Sequence, residues 1–300
     1  MGARTRREPT FVDRTTDAPT RPRIRLGLVS FLNSAPIGYG LLHGRQRQLA
    51  DVTEAVPSEL AENLARGALD LALIPSVEYA RAVLDGRDIA IVPRIAIAAQ
   101  GEAESVLFFH HPPLEEVRSV ALDTSSRTSA MLLRLLLRRL LCTGRPEPKY
   151  LDSGPDLPAM LRAADGALLI GDRALFAASE HPALVADLDV HDLGQEWRTL
   201  TGLPFVFAFW AGPIRADSPA LVEGLLDSLE EGLAHAREIA HAEAPKDPDR
   251  AARILAYLTR AMDYALGPEE IEGLRTFYTL LAEEGLLPGP VPALRFHPSR

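Results

Sequence analysis

The sequence predicts an α/β fold with a mainly parallel sheet and a helical layer at the carboxyl end. Two observations predict it. Short runs rich in Val, Ile and Leu alternate with helically spaced apolar patterns as far as 205–211, and from Asp217 onward only helical patterns follow. At 300 residues the chain exceeds what one hydrophobic core usually spans, so one large or two smaller lobes are expected.

Strands are expected at 24–30, 51–55, 70–74, 89–92, 105–109, 119–122, 149–151, 167–170 and 205–211. Helices are expected to begin near Pro36, Pro57, Ser76, Ser126, Pro155, Asp172 and Asp192, each a residue suited to a cap or a first turn. The run Val56 to Leu64 carries helical spacing, Gly67 stops it, and Asp70 to Ile74 reads as a buried strand. The late helices are expected at about 217–243, 248–265 and 268–285, broken at Ala244-Pro245 and Gly267-Pro268.

Composition narrows the function. Hydrophobic content of 47% with 24% charged residues is ordinary for a globular protein. A net charge of −9 argues against nucleic acid as a partner, but leaves an anionic small ligand open, because local donors set a pocket. Lys149 and Lys246 are the only lysines; the Arg bias reads as genomic composition. Cys142 is the single cysteine, so no internal disulfide forms, and its apolar helical context reads as a buried thiol. The first 22 residues, with Arg4, Arg6, Arg7, Arg14 and Arg21, read as a disordered tail. Arg6-Arg7 lacks the apolar stretch that an export signal needs, and no run approaches the roughly 20 apolar residues of a membrane span. The chain therefore reads as cytoplasmic.

Four strand tips carry the polar chemistry. The first is Leu28-Val29-Ser30-Phe31-Leu32-Asn33-Ser34-Ala35-Pro36, an apolar strand ending in Asn33 and Ser34 before a helix-starting proline. Helix capping is the plain reading of such a pair. The second is Leu73-Ile74-Pro75-Ser76, with Glu78 in the first helical turn complementing the dipole. The third is Asp123-Thr124-Ser125-Ser126-Arg127-Thr128-Ser129, where five hydroxyls and Arg127 surround one helix start. Capping needs one such residue, and the surplus points to a site for carboxylate or phosphate. The fourth is Ile170-Gly171-Asp172, where Gly171 allows close backbone approach and Asp172 is a cap, a ligand for a hydroxyl, or an acid/base.

Other chemistries lack their signatures. The eight histidines form no His-x-x-x-His pair, and Glu238 with His241 has no second motif to face. There is no Gly-x-Ser-x-Gly elbow, no Gly-x-Gly-x-x-Gly and no Gly-Lys-Ser/Thr phosphate loop. Neither a metal nor a cofactor is expected. Met131 to Leu141, with Arg134, Arg138 and Arg139, has an apolar arc too wide for a membrane-surface helix and reads as a core helix.

Six segments in order resemble the chorismate dehydratases of the futalosine route of menaquinone biosynthesis: Val29 to Pro36, Asp70 to Tyr79, Ser105-Val106-Leu107-Phe108, Asp123 to Ser129, Ile170-Gly171-Asp172 and Leu203-Pro204-Phe205-Val206-Phe207-Ala208. The resemblance runs from about Arg23 to about Leu287. It implies the fold of type II periplasmic binding proteins, with two α/β lobes and the ligand in the cleft between them. Residues 23–105 and 205–300 would form lobe one, and 106–204 lobe two. It implies cofactor-free loss of water from chorismate, a dicarboxylate, with Asn33 at the reacting centre. Ser34, Ser76, Ser105, Ser125, Ser126, Arg127, Thr128, Ser129, Gly171 and Asp172 would bind the substrate. The chain departs from the family at its Arg-rich tail and at His110-His111, where smaller polar residues are expected. Two alternatives stand beside this reading. The sister enzyme that makes a dihydroxynaphthoate on a related fold should carry a Cys- and His-bearing motif at the first tip, which Asn33-Ser34-Ala35-Pro36 does not match. A solute-binding protein that only captures a ligand would need export.

Overall fold

The computed structural model describes residues 23–141, 143–215 and 218–299. The readings made above for the first 22 residues, for Cys142 and for Asp217 lie outside the described residues. Among the described residues, twelve strands run in chain order: β1 Ile24–Val29, β2 Ala50–Ala55, β3 Leu71–Pro75, β4 Ala90–Ile91, β5 Arg94–Ala99, β6 Val106–His110, β7 Ser119–Asp123, β8 Lys149–Ser153, β9 Gly166–Ile170, β10 Asp189–Asp192, β11 Phe205–Gly212 and β12 Asp263–Leu266. They build two sheets, ordered β12-β5-β11-β3-β1-β2 (with β4 beside β11) and β10-β6-β9-β7-β8.

The sheets are mixed, which corrects the mainly parallel expectation. β1 pairs in parallel with β2 and β3, and β7 with β8 and β9. β11 runs antiparallel to β3 and β5, and β6 antiparallel to β9 and β10. Three strands were not expected. β5, Arg-Ile-Ala-Ile-Ala-Ala, is rich in alanine, a helix former, and becomes a strand because β11 and β12 flank it. β10 directly precedes the helix Leu193–Thr201. β12 interrupts the helix expected over 248–265, which ends instead in a π-helical turn, Tyr257–Ala261.

The chain passes from the first sheet to the second between β5 and β6, and returns between the helix Leu193–Thr201 and β11. Asp192 clamps the outward crossing: its carboxylate accepts from the N–H groups of Ala103 at 3.0 Å and Glu104 at 2.7 Å, and caps the helix at Gly194. Trp197 ties the return by donating to the Pro204 carbonyl at 3.1 Å.

The expected core helix of the third tip runs over Arg127–Leu136 and continues as a π turn, Leu137–Leu141. Leu132, Leu133, Leu135 and Leu136 are buried in the same cluster as β1, β3, β5 and β11. One hydrophobic core therefore runs through both sheets, because this helix packs on the helices Ser76–Leu84 and Pro268–Glu283. Arg134 and Arg138 pair with Glu147, and Arg139 with Glu283, which places the charges off the core face.

The late helix Ser218–Ala234 fixes the first strand tip. It lies against the helix Ala35–Leu42 so closely that a Cβ at Gly232 would meet the Pro36 carbonyl oxygen at 2.0 Å. Ser228 reinforces the contact by donating to the Ile37 carbonyl at 2.8 Å and accepting from the Leu41 N–H at 3.1 Å.

At the amino end of β1, Arg25 holds Asp70 through its backbone N–H at 2.9 Å and its guanidinium at 2.8 Å, tying β1 to the start of β3. The side-chain hydrogen bond from Arg25 lowers the Asp70 carboxyl below its ordinary value. A depressed carboxylate stabilises the fold above its unfolded pKa, and that contribution is lost as pH falls through the folded value. Asp70→Asn should therefore lower Tm near neutral pH, and the difference from wild type should shrink below about pH 4. Thermal melts at several pH values measure this; a constant offset down to low pH would refute it.

Candidate active site

The carboxyl ends of the parallel strands β1, β3, β7 and β9 converge where the two sheets face each other, the position at which open α/β sheets bind ligands. A pocket with about 490 Å³ of empty space lies there. Phe31, Ile97, Val106, Ile170, Phe207 and Met262 supply apolar wall. The polar groups in the wall are Asn33, Ser105, Ser126 and Ser129, and among the described residues no charged side chain lines it.

Asn33 sits in a 3₁₀ turn, Leu32–Ser34, between β1 and the helix Ala35–Leu42. Its side-chain oxygen Oδ1 is buried and has no hydrogen-bond partner. A buried acceptor left unpaired costs free energy, and a pocket wall is where such a group finds its partner in a ligand. Ser34 is turned into its own turn: its hydroxyl donates to the carbonyls of Val29 and Phe31, and it does not line this pocket. Asp172 does not line it either. Its carboxylate crosses from β9's tip to accept the Leu32 N–H at 3.0 Å, holding the Asn33 turn from the opposite sheet. Burial pushes the Asp172 carboxyl up, and the Leu32 bond opposes that.

The surplus of polar residues at the third tip divides by direction. Ser126 caps its helix by accepting the Ser129 N–H at 3.4 Å, and the two hydroxyls lie 3.2 Å apart on the pocket wall. The first N–H groups of this helix have no intrahelical acceptor, so the pocket meets a positive dipole end. Ser125 is turned back on Asp123, which accepts its backbone N–H at 2.9 Å and its hydroxyl. Asp123 also accepts the Ile170 N–H at 3.4 Å, and burial raises its carboxyl. Thr128 and Arg127 reach the other sheet. Thr128 Oγ1 accepts the Val77 N–H at 3.0 Å and lies 3.5 Å from Ser76 Oγ. It thereby caps the helix Ser76–Leu84, whose own N-cap is Pro75, a residue without a side-chain acceptor. Arg127 pairs with Glu78 at 3.3 Å and Glu62 at 3.2 Å. Ser76 is fully buried, and its carbonyl accepts from Tyr278 at 2.6 Å. Ser76, Ser125, Arg127 and Thr128 thus do not line this pocket, and their side chains are engaged within the chain.

At the fourth tip, Gly171 lines the pocket at φ +64°, and a Cβ there would lie 3.3 Å from the Phe31 ring. Its N–H donates to the Ser105 carbonyl at 2.8 Å. The Ser105 hydroxyl lies 2.8 Å from that of Tyr257, which is buried in the π turn. His110 belongs to the other end of β6, opposite Gly166, with its Nδ1 2.7 Å from the Pro112 carbonyl oxygen. Among the described residues, no group of three or more His, Cys, Asp or Glu is placed to hold a metal ion.

A family profile described as menaquinone biosynthesis matches residues 24–283. A chorismate dehydratase of Thermus thermophilus is 38% identical over 240 residues, which is 75% of this chain and 82% of that protein. The chain belongs to the chorismate dehydratase family. Another family member, from Campylobacter jejuni, is 28% identical over 61% of this chain and 64% of that protein. Solved structures share the fold of periplasmic binding proteins. A protein of Archaeoglobus fulgidus superposes with TM-score 0.68 at 19% identity, covering 88% of this chain and 98% of that one. The periplasmic aliphatic sulphonate binding protein of Escherichia coli superposes with TM-score 0.62 at 19% identity, covering 91% and 96%.

In this chorismate dehydratase family member, the sequence motifs located all four tips, but missed two features of the site. Phe207 comes from β11, inside the Leu203 to Ala208 segment of the family resemblance but not singled out there as a site residue, and Met262 follows the π turn. Tyr257 lies within an apolar helical pattern that gives no sign of a site. No helix of the described residues is long and apolar enough to cross a membrane.

The two classes of third-tip residue separate by experiment. Thr128→Val removes the trans cap and should cost about 1 kcal/mol of stability. Ser126→Ala and Ser129→Ala should each weaken binding of a dicarboxylate ligand by about 0.5–3 kcal/mol. Denaturant melts and ligand titrations measure the two effects; equal loss of affinity in Thr128→Val and Ser126→Ala would refute the division.

Proposed function

We propose that this protein eliminates water from chorismate to give 3-[(1-carboxyvinyl)oxy]benzoate, in the futalosine route of menaquinone biosynthesis and in the cytoplasm. The observation that carries the reading is a pocket at the converging strand tips whose polar groups, among the described residues, are all neutral, and in which one, Asn33 Oδ1, is buried and unpaired. The proposal divides the chain into lobe one, 23–105 with 205–300, and lobe two, 106–204.

The reaction breaks the C–H bond at the ring carbon bearing the enol ether and the C–O bond at its hydroxylated neighbour. The hydroxyl leaves with a proton as water, and the ring becomes aromatic, which supplies the driving force. Ser126, Ser129 and the first N–H groups of the helix Arg127–Leu136 hold a carboxylate of the substrate. Asn33 orients and polarises at the reacting centre, because a neutral amide is too weak a base for proton abstraction. The substrate's enolpyruvyl carboxylate takes the ring proton and passes it to the departing hydroxyl, which leaves as water. A wall with no cation among the described residues suits that role, since an ion pair would lower the carboxylate's basicity. Positioning and preorganised hydrogen bonds then carry the rate.

Purified protein should convert chorismate, followed by ultraviolet absorbance, and should do so after chelator treatment. Asn33→Ala should lower kcat by about a hundredfold while KM changes little. Asn33→Asp should be nearly inactive, since a carboxylate loses the N–H₂ donor and repels a dianion. Binding without conversion would make the protein a solute-binding module. Full activity in Asn33→Asp would assign proton abstraction to this position.

A further inference from the structure

The site proposed above is split between the two sheets. Asn33 stands on the 3₁₀ turn at the tip of β1, whereas Ser126 and Ser129 belong to the helix that follows β7. Their relative placement is set by tertiary contacts, and one short segment of the second sheet grips the Asn33 turn directly. Gly171 and Asp172 open the helix Gly171–Leu175 at the tip of β9. The Asp172 carboxylate accepts the Leu32 N–H at 3.0 Å, on the residue just before Asn33. One residue further back, the Phe31 ring bears on Gly171, where a Cβ would lie 3.3 Å from it.

The Leu32 N–H needs that acceptor. It opens the 3₁₀ turn, where no earlier carbonyl of the turn can take it, and the N-cap Phe31 makes no side-chain cap. Leu32 is buried, so an unpaired N–H there would be costly. Asp172 acts from behind the turn. It lines a second hollow with Glu54, Glu238 and Glu243, and Phe31 stands in the partition between that hollow and the pocket. Carboxylates gathered on this side repel an anionic substrate, so the Asp172 acceptor serves the chain and not the ligand. From Asp172 the connection continues to the hydroxyls on the pocket wall. Asp123 accepts the N–H of Ile170, at the tip of the same strand β9, at 3.4 Å, and that of Ser125, beside Ser126, at 2.9 Å.

We propose that Asp172 is a positioning residue that holds the Asn33 turn in register with Ser126 and Ser129 across the two sheets. The hydroxyls fix the substrate's carboxylate to the second sheet, and the Asp172 bond sets Asn33 against the reacting ring. A displacement of about 1 Å at such a junction costs about a hundredfold in rate. The role requires an acceptor at that place and not a negative charge. This rests on the dehydratase reading, and it adds to it the residue that brings the two halves of the site together.

The test uses the full chain, with fold checked by circular dichroism. Asp172→Ala removes the acceptor and should lower kcat about tenfold or more with KM within about twofold, since the hydroxyls that hold the carboxylate stay in place. Asp172→Asn keeps a carbonyl oxygen at the same reach and loses the charge, and should hold kcat within about threefold of wild type. Asp172→Glu keeps the charge and displaces the acceptor by a methylene, and should lose as much as Asp172→Ala. In an Asn33→Ala background neither Asp172→Ala nor Asp172→Glu should lower kcat further, because the group they misplace is gone. If Asp172→Ala folds poorly, Asp172→Asn and Asp172→Glu decide between acceptor and charge. An unchanged kcat in Asp172→Glu, equal losses in Asp172→Asn and Asp172→Glu, or multiplicative losses with Asn33→Ala would overturn the proposal while leaving the dehydratase reading standing. A wild-type protein that does not convert chorismate would overturn that reading, and the proposal with it.

Discussion

One hydrogen bond made across the two sheets ties together the helices that start at the second and third strand tips. The helix Ser76–Leu84 starts at Pro75, which has no acceptor with which to cap it, and the missing acceptor is Thr128 Oγ1 on the first turn of the helix Arg127–Leu136. A buried N–H at a helix start is costly when unpaired, so the two helices must keep their relative position. That position lets Leu132, Leu133 and Leu136 enter the core of the first sheet. The strand tips that line the pocket are thereby held facing each other without help from a ligand. Asp172 makes the same kind of connection on the other side of the pocket, from β9's tip to the Leu32 N–H.

The electrostatics of the pocket follow from where the charges go. Arg127 is drawn away to Glu62 and Glu78, and the buried carboxylates Asp123 and Asp172 are taken up by backbone N–H groups outside the wall. Hydroxyls and a helix dipole remain for an anion. Such donors bind a carboxylate in a water-poor site while leaving it more basic than an arginine would. For the proposed elimination, in which the base would come from the substrate, that difference matters more than tight binding.

The four strand tips were legible because each joins an apolar run to a small polar residue and a helix start, and that junction is local in sequence. The strands β5, β10 and β12 were not: one is rich in alanine, one abuts a helix cap, and one continues a helical pattern until the edge of β5 recruits it. At the third tip the surplus of hydroxyls was visible, but not its cause. Five hydroxyls beside one helix look like a ligand site when that helix is considered alone. The neighbouring helix that consumes Thr128 is about fifty residues earlier in the chain, and nothing in the spacing reports it.

By itself, the sequence determined the alternation of strands and helices, the late helical layer, the tips where polar groups gather and the family, because propensity, capping and motif order are properties of contiguous residues. Only the tertiary structure decided which of those polar groups face the pocket. A hydroxyl has one proton and two lone pairs, and what they meet depends on the element packed opposite. Ser126 and Ser129 meet the pocket, Thr128 meets Val77, Ser125 meets Asp123, and Ser34 meets its own turn. Tyr257 reaches Ser105 from more than 150 residues away, by a π turn that no pattern in the chain announces.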